Sequence, residues 1–248
     1  MKKKAMAAVS AAVCASMLLS ACGSSASTST TAAPAETTAA EAKAEDTTAA
    51  AEPAASGDVV TINIGFENTT EEPIGQAVEK WAELLKEESN GTMELKVFAN
   101  SALGNKSKLI DQMVMGENVI TIADGAFYAD YGVPDLGILY GPFFFDNWDE
   151  VWKLIDSDWY KEQCSKLADK GLTVLGSNWV YGERELMTKD KAVVPADIKG
   201  KKIRLANSQI YVEGFNALGA TAVPMALGDV YTALQNGTLD GVENPLST

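Results

Sequence analysis

Histidine is absent from all 248 residues. That absence removes imidazole metal sites, Ser-His-Asp and Cys-His catalysis, and the usual general base near neutral pH. Cysteine is scarce, with Cys14, Cys22 and Cys164 making up the full set. After removal of the leader described below, Cys22 and Cys164 remain. With Cys22 lipidated, Cys164 has no disulfide partner and reads as a small buried hydrophobe. There is no G-x-S-x-G and no G-x-G-x-x-G, and a P-loop ending at Gly200-Lys201 would need glycine where Pro195 stands. "DSD" at 156–158 begins like a calcium loop, but its sixth position is Lys161, which suits a helix-end loop better. No metal and no cofactor are expected. Paired carboxylates are abundant, yet with 34 acids in the chain their pairing carries little information.

What is present begins with "MKKKAMAAVSAAVCASMLLSACGSS". Lys2, Lys3 and Lys4 form a basic start, and a largely apolar run to Leu19 follows that is too short to span a bilayer comfortably. Small residues then lead to Cys22 in "LSAC", the pattern of a bacterial lipoprotein leader. Residues 1–21 are therefore expected to direct export, and Cys22 to carry an acyl anchor in which each buried methylene contributes about 0.8 kcal/mol. Residues 23–57 contain no Val, Ile, Leu, Met or aromatic side chain, so nothing there offsets the entropy of ordering. The stretch 22–57 is expected to be a lipid-anchored, disordered tether. The formal net charge of the chain is −14; with +3 on the leader and −4 on the tether, the body from Asp58 onward carries −13. Such a field repels polyphosphates and argues against nucleic acid as a partner.

The body reads as alternating strands and helices. "VVTINIGF" (59–66) alternates like a strand, and Pro73 suits a first helical turn. Ile74, Ala77, Val78, Trp81, Leu84 and Leu85 then share a helical face that Asn90-Gly91 closes. "MELKVFA" (93–99) is a second strand, Leu109, Ile110, Met113 and Val114 mark a second helix, and "VITIA" (119–123) is a third strand. The βαβαβ order implies an α/β fold with a parallel or mixed sheet covered by helices. "YGPFFF" (140–145) reads as a core strand or a wedge between lobes rather than a ligand platform. Trp148, Val151, Trp152 and Ile155 have helical spacing and read as core. "LTVLGSNWV" (172–180) is expected as a strand, as are the segments around Ile203 and Leu205, "ATAVPM" (220–225) and "TLDGV" (238–242). Helices centred on Tyr211 and Phe215 and on Val230 and Leu234 lie between them.

Two arginines stand where charge could act. Arg184 follows a strand and a glycine turn, and Arg204 projects from the strand face opposite Ile203 and Leu205. A guanidinium offers a planar fork that matches a carboxylate. From spacing alone, however, a solvated strand face or a structural ion pair accounts for both arginines better than a ligand does. Asn207 and Asn244, taken singly, are more often turn-formers.

The run "DIKGKKIRLANSQIYVEGFNALGATAVPMALGDVYTALQNGTLDGVENP" resembles the solute-binding proteins of tripartite ATP-independent periplasmic (TRAP) transporters, the DctP-type family. "KWAELLKEESNGTMELKVFANSALGN", "YGER" and the lipoprotein leader support the resemblance, which covers residues 59–246. It implies a two-lobed, type II-like periplasmic-binding-protein fold, with residues 58–181 as the first α/β lobe and 182–248 as part of the second. It implies that Arg204 clamps a ligand carboxylate, that Arg184 is a second cationic contact, and that Asn207, Asn244, Glu67 and Asp124 approach the ligand. Leu227 stands where relatives often carry an aromatic residue, and Glu71 and Glu72 precede Pro73 where many carry a histidine. Family members continue well beyond "PLST", so the chain is expected to be a fragment with exposed surface near Pro245.

The function so implied is that of a non-enzymatic, monomeric extracytoplasmic receptor. It would bind an organic acid, a sugar acid or a C4-dicarboxylate, and deliver it to the membrane permease subunits of a TRAP transporter. Two arginines among acidic groups favour a hydroxylated acid, and a dicarboxylate fits if its second carboxylate meets Arg184. A receptor feeding a sensor kinase is the alternative of the same kind. An exported enzyme would need Glu67 or Asp124 as its base.

Overall fold

The structure, a computed structural model, describes residues 58–248. The leader, Cys22 and the tether lie outside the described residues.

The first half builds a parallel sheet. β1 (Val60–Gly65) lies between β2 (Met93–Phe98) and β3 (Val119–Thr121), giving the order β2-β1-β3. Parallel neighbours need crossovers, supplied here by α1 (Pro73–Glu88) and α2 (Lys106–Val114). Pro73 opens α1 where its missing N–H costs nothing, and the helix gives way to a turn in which Asn90 and Gly91 take left-handed φ values of 49° and 76°. Asn105 caps α2 by accepting from the backbone of Lys108. Ile64, Phe66, Val78 and Leu95 form the core between this sheet and α1.

After β3 the chain enters α3 (Gly125–Asp130), a 3-10 helix (Pro134–Tyr140), α4 (Trp148–Ile155) and α5 (Asp158–Ala168). Ile110, Phe127, Val133, Leu136, Tyr160, Leu167 and Leu172 pack into a second core, against which Cys164 lies half-buried, with no disulfide among the described residues. Burial pushes its thiol pKa up, away from the thiolate form.

The second sheet is mixed, in the order β4-β7-β5-β6. β4 (Arg184–Thr188) runs antiparallel to β7 (Gly241–Pro245), while β5 (Lys202–Leu205) runs parallel to both β7 and β6 (Thr221–Pro224). α6 (Gln209–Ala217) and α7 (Val230–Gln235) complete it. Ile203, Leu205, Tyr211 and Ala220 form its core, joined by Ala126 of α3. α3 therefore touches both apolar clusters, Phe127 entering one and Ala126 the other.

Three local expectations differ. Residues 172–180 form no strand; the strand begins at Arg184 instead. β7 starts at Gly241 rather than Thr238, since Thr238 closes α7 through two bonds to the carbonyl of Ala233. The aromatic run is neither strand nor core: Phe143 has a left-handed φ of 58° and is 97% exposed. Likewise α4 buries none of its residues, and Trp148 and Trp152 stack on each other along a cavity wall.

Candidate functional site

Arg204 sits on β5, the strand bonded on both sides in the second sheet, in register with Val223 and Val242. It is 3% exposed, so it is not on a solvated face. Nε and Nη2 donate to the carbonyl of Met225 at 3.0 and 2.8 Å, and Nη1 donates to the carbonyl of Glu243 at 3.4 Å. Among the described residues it forms no ion pair. Burial lowers its pKa, and the field of Glu67 opposes that while Arg184 adds to it. A buried cation held only by carbonyls is a costly arrangement that an incoming anion relieves.

Arg184 opens β4 opposite Pro245 in the antiparallel register. Its Nε and Nη2 meet the two carboxylate oxygens of Glu243 at 2.5 and 2.6 Å, and its guanidinium lies 5.0 Å from the Tyr211 ring centroid. Burial opposes the charge, but Glu243 and the tyrosines outweigh it and hold the Arg184 pKa above its ordinary value. The turn before Arg184 depends on Gly182, whose φ is 131° and whose added Cβ would stand 2.8 Å from the Cβ of Pro245. Gly182→Ala is expected to cost about 1–3 kcal/mol of strain. It should also lower the melting temperature measured by calorimetry; an unchanged melting curve would show that the turn can relax.

Glu67 follows β1 half-buried, and its Oε1 accepts from the backbone N–H of Leu227 at 3.4 Å. Asp124 caps α3, accepting from Ala126 and Phe127, and its other oxygen is 3.5 Å from Lys106 Nζ. Its capacity is therefore largely committed to structure. Asn207 lies exposed beyond β5 and lines a small recess with Arg204, Glu67, Lys106 and Met225. Asn244 is buried, but strand alternation turns it away from Glu243, and its amide donates to Thr248. It does not line the cavity that Glu243 lines. Pro245 is buried and Leu246 is 73% exposed.

The recess adjoins an open cavity of about 1510 Å³, sharing Glu67 and Lys106 with it. That is more than the roughly 300–1,000 Å³ of a small-molecule site. Its polar end gathers Glu67, Lys106, Asp124, Tyr181, Arg184 and Glu243; the remainder is an apolar wall that includes Trp81, Trp148, Trp152 and Leu175. Sequence reasoning did not include Glu243, Lys106, Tyr181 and Tyr211 among the site residues. Glu243 and Asn244 are adjacent on β7, and only the strand register decides which of them faces inward. Tyr181 exchanges hydrogen bonds with Asn68 at 3.0 and 3.2 Å, tying "YGER" to the loop after β1. No group of three or more metal-type ligands occurs among the described residues, and no described helix is long and apolar enough to cross a membrane.

Parallel strands under helices, with a polar cleft at their ends, are the build of α/β proteins that bind small molecules. A buried guanidinium with no carboxylate partner among the described residues is an arrangement that an anion would complete. Residues 64–248 match the bacterial extracellular solute-binding proteins of family 7 (DctP), and the chain belongs to that family. It is 32% identical to the 2,3-diketo-L-gulonate-binding periplasmic protein YiaO of Escherichia coli over 189 residues, 75% of this chain and 57% of that protein. It is 30% identical to the C4-dicarboxylate-binding periplasmic protein DctP of Rhodobacter capsulatus over 193 residues, 78% of this chain and 58% of that protein. A crystal structure of a TRAP periplasmic solute-binding protein from Ochrobacterium anthropi with bound L-fuconate superimposes with a TM-score of 0.73 at 41% identity. That match covers 76% of this chain and 62% of the other. The chain thus spans less than two thirds of each of these relatives.

Proposed function

We propose that the protein is the extracytoplasmic receptor of a TRAP-type transporter, binding an organic acid between two lobes and passing it to membrane permease subunits. Residues 58–181 form the first lobe and residues from 182 onward belong to the second. The observation that carries this reading is Arg204, a guanidinium 3% exposed that forms no ion pair among the described residues. A ligand carboxylate entering the recess would supply the missing counter-charge, and Asn207 would offer an amide beside it. Arg184, Glu67 and Asp124 line the neighbouring cavity and would meet the rest of the molecule, with Asn244 supporting β7 from behind. The relatives named for 2,3-diketo-L-gulonate and for C4-dicarboxylates, and the neighbour holding L-fuconate, support an organic acid of the sugar-acid or dicarboxylate kind. Binding and release need no base, nucleophile or metal, which accords with a sequence free of histidine. The receptor acts as a monomer, held to the outer face of the membrane by lipid on Cys22.

A thermal-shift screen of the full-length protein against sugar acids, C4-dicarboxylates, 2-oxo acids and amino acids tests the reading. An acid present at 100 times its dissociation constant stabilises the native state by about 2.7 kcal/mol. The expected outcome is a clear upward shift with at least one carboxylic acid and none with the matching neutral sugars. A protein that responds to no acid is not this receptor.

A further inference from the structure

We propose that the end of the second sheet remote from the cleft is a docking surface for an anionic lipid bilayer. Lys189, Lys191, Lys199 and Lys202 build it, around the exposed side chains of Val193 and Val194. The proposal takes its setting from the lipid anchor on Cys22 and is independent of how the ligand is held.

Positive charge is concentrated here against the trend of the protein. Residues 189–202 carry five lysines and two aspartates, a local +3 in a body that carries −13. The strand register gathers these lysines at one end of the sheet. β5 starts at Lys202, in register with Thr221 at the start of β6, and Ile203 is in register with Gly241 at the start of β7. Thr188, the last residue of β4, pairs with that same Gly241. Lys189 follows at this end, its N–H donating to the carbonyl of Asp240 at 3.1 Å. The N–H of Gly200 donates to the carbonyl of Gly219 at 2.8 Å, which brings the turn after Lys199 to the loop before β6. Arg204 and Glu243 lie toward the other ends of β5 and β7.

Three acids are bonded into this end. Asp190 pairs with Lys201 at 2.9 Å. Asp197 accepts from the N–H groups of Val193 and Val194 at 2.8 and 3.1 Å, and Asp240 accepts from the N–H of Lys202 at 2.8 Å. Five lysines against three aspartates still leave +2. Lys189, Lys191, Lys199 and Lys202 form no ion pair among the described residues.

Val193 and Val194 are 71% and 53% exposed among these lysines. Their backbone is pinned by Asp197, so the two side chains are held outward by structure. Apolar tips within a ring of ammonium groups match the layers of an anionic membrane interface, where head-group phosphates lie over the acyl boundary. Charges farther off than about 8 Å are screened at physiological ionic strength, so a surface resting on this end meets the local lysines rather than the net charge of the body. In that pose the carboxyl ends of β5 and β7 point away from the lipid, toward the solution from which acids arrive.

The test is co-sedimentation with vesicles of the full-length protein without its leader, carrying Cys22→Ala so that no acyl chain anchors it. Vesicles containing phosphatidylglycerol should retain it at low salt and release it at high salt, and vesicles of phosphatidylcholine alone should not retain it. Each lysine near an anionic surface is worth about fivefold in partition, so Lys191→Gln with Lys199→Gln should weaken retention by about 25-fold. Lys86→Gln with Lys96→Gln removes the same charge from exposed positions on α1 and β2, and should change retention by less than about twofold. No retention by anionic vesicles, equal retention by phosphatidylcholine alone, or equal weakening by the two pairs overturns the inference. Retention on immobilised polyglutamate but not on anionic vesicles assigns the patch to an acidic protein face, and overturns the lipid reading as well. None of these results bears on the receptor reading, which the acid screen decides, or on the anchor, which the mass of the natural N-terminus at Cys22 decides.

Discussion

Arg204→Ala is expected to abolish organic-acid binding while leaving the fold cooperative. The two halves of that expectation have different physical sources. On binding, the ligand carboxylate would meet a guanidinium that is itself 3% exposed, and removing one partner of a buried ion pair costs about 3–5 kcal/mol. That corresponds to a loss of affinity of roughly two to nearly four orders of magnitude. On stability, the substitution deletes a buried charge that forms no ion pair among the described residues, which is a gain, and deprives the carbonyls of Met225 and Glu243 of their donors, which is a loss. The two oppose each other, so the net change should stay within about 2 kcal/mol. Arg204→Lys sharpens the test. It keeps the charge, but an ammonium cannot donate two parallel bonds to a carboxylate and still serve Met225, so affinity should fall by at least about tenfold. Titration calorimetry with the acid found by thermal shift reads both variants. Full affinity in Arg204→Lys would show that a point charge suffices and that the planar clamp is not what binds.

Much of the scaffold is legible in the sequence because local rules and tertiary packing agree there. Alternation marks β1, Pro73 and Asn90-Gly91 bracket α1, and the βαβαβ order implies the parallel sheet that the structure has. The resemblance supplies Arg204 and Arg184, and in the structure both guanidinium groups donate to Glu243, Arg184 to its carboxylate and Arg204 to its carbonyl. What the sequence does not disclose is how polar groups pair over long separations. Arg184 and Glu243 are 59 residues apart, and nothing local says that one closes the other. Asn244 looks equivalent to Glu243 until the register of β7 turns it to the opposite face. The resemblance implies that Asp124 approaches a ligand, and in the structure its carboxylate caps α3. The aromatic residues at 143–145 and along α4 mislead in the other direction. Helical spacing reports a face that is apolar, but not what covers it, and among the described residues that face lines an open cavity.

Leu136→Ala should behave in the opposite way to Arg204→Ala, with a large loss of stability and little change in affinity at 25 °C. Leu136 lies in the 3-10 helix that follows α3, is 0% exposed, and packs with Ile110, Phe127, Val133, Tyr160, Leu167 and Leu172. Truncating a fully buried leucine removes its transfer free energy and leaves a cavity, together about 2–5 kcal/mol. The upper part of that range is expected, because collapse around the void is hindered on one side by backbone. The carbonyl of Leu136 already stands 2.3 Å from where a Cβ on Gly125 would be, so α3 has no room to move inward. For a body of this size the melting temperature should drop by about 2–4 °C per kcal/mol, or roughly 8–20 °C in all. The cap of α3 is independent of that void: Asp124 holds the N–H groups of Ala126 and Phe127 from the cleft side. The acid should therefore bind Leu136→Ala with a dissociation constant within about threefold of wild type, provided the titration is done well below the melting transition. If affinity instead collapses together with stability, the core under α3 and the cleft above it are one cooperative unit, and a single measurement at Arg204 would no longer isolate the clamp.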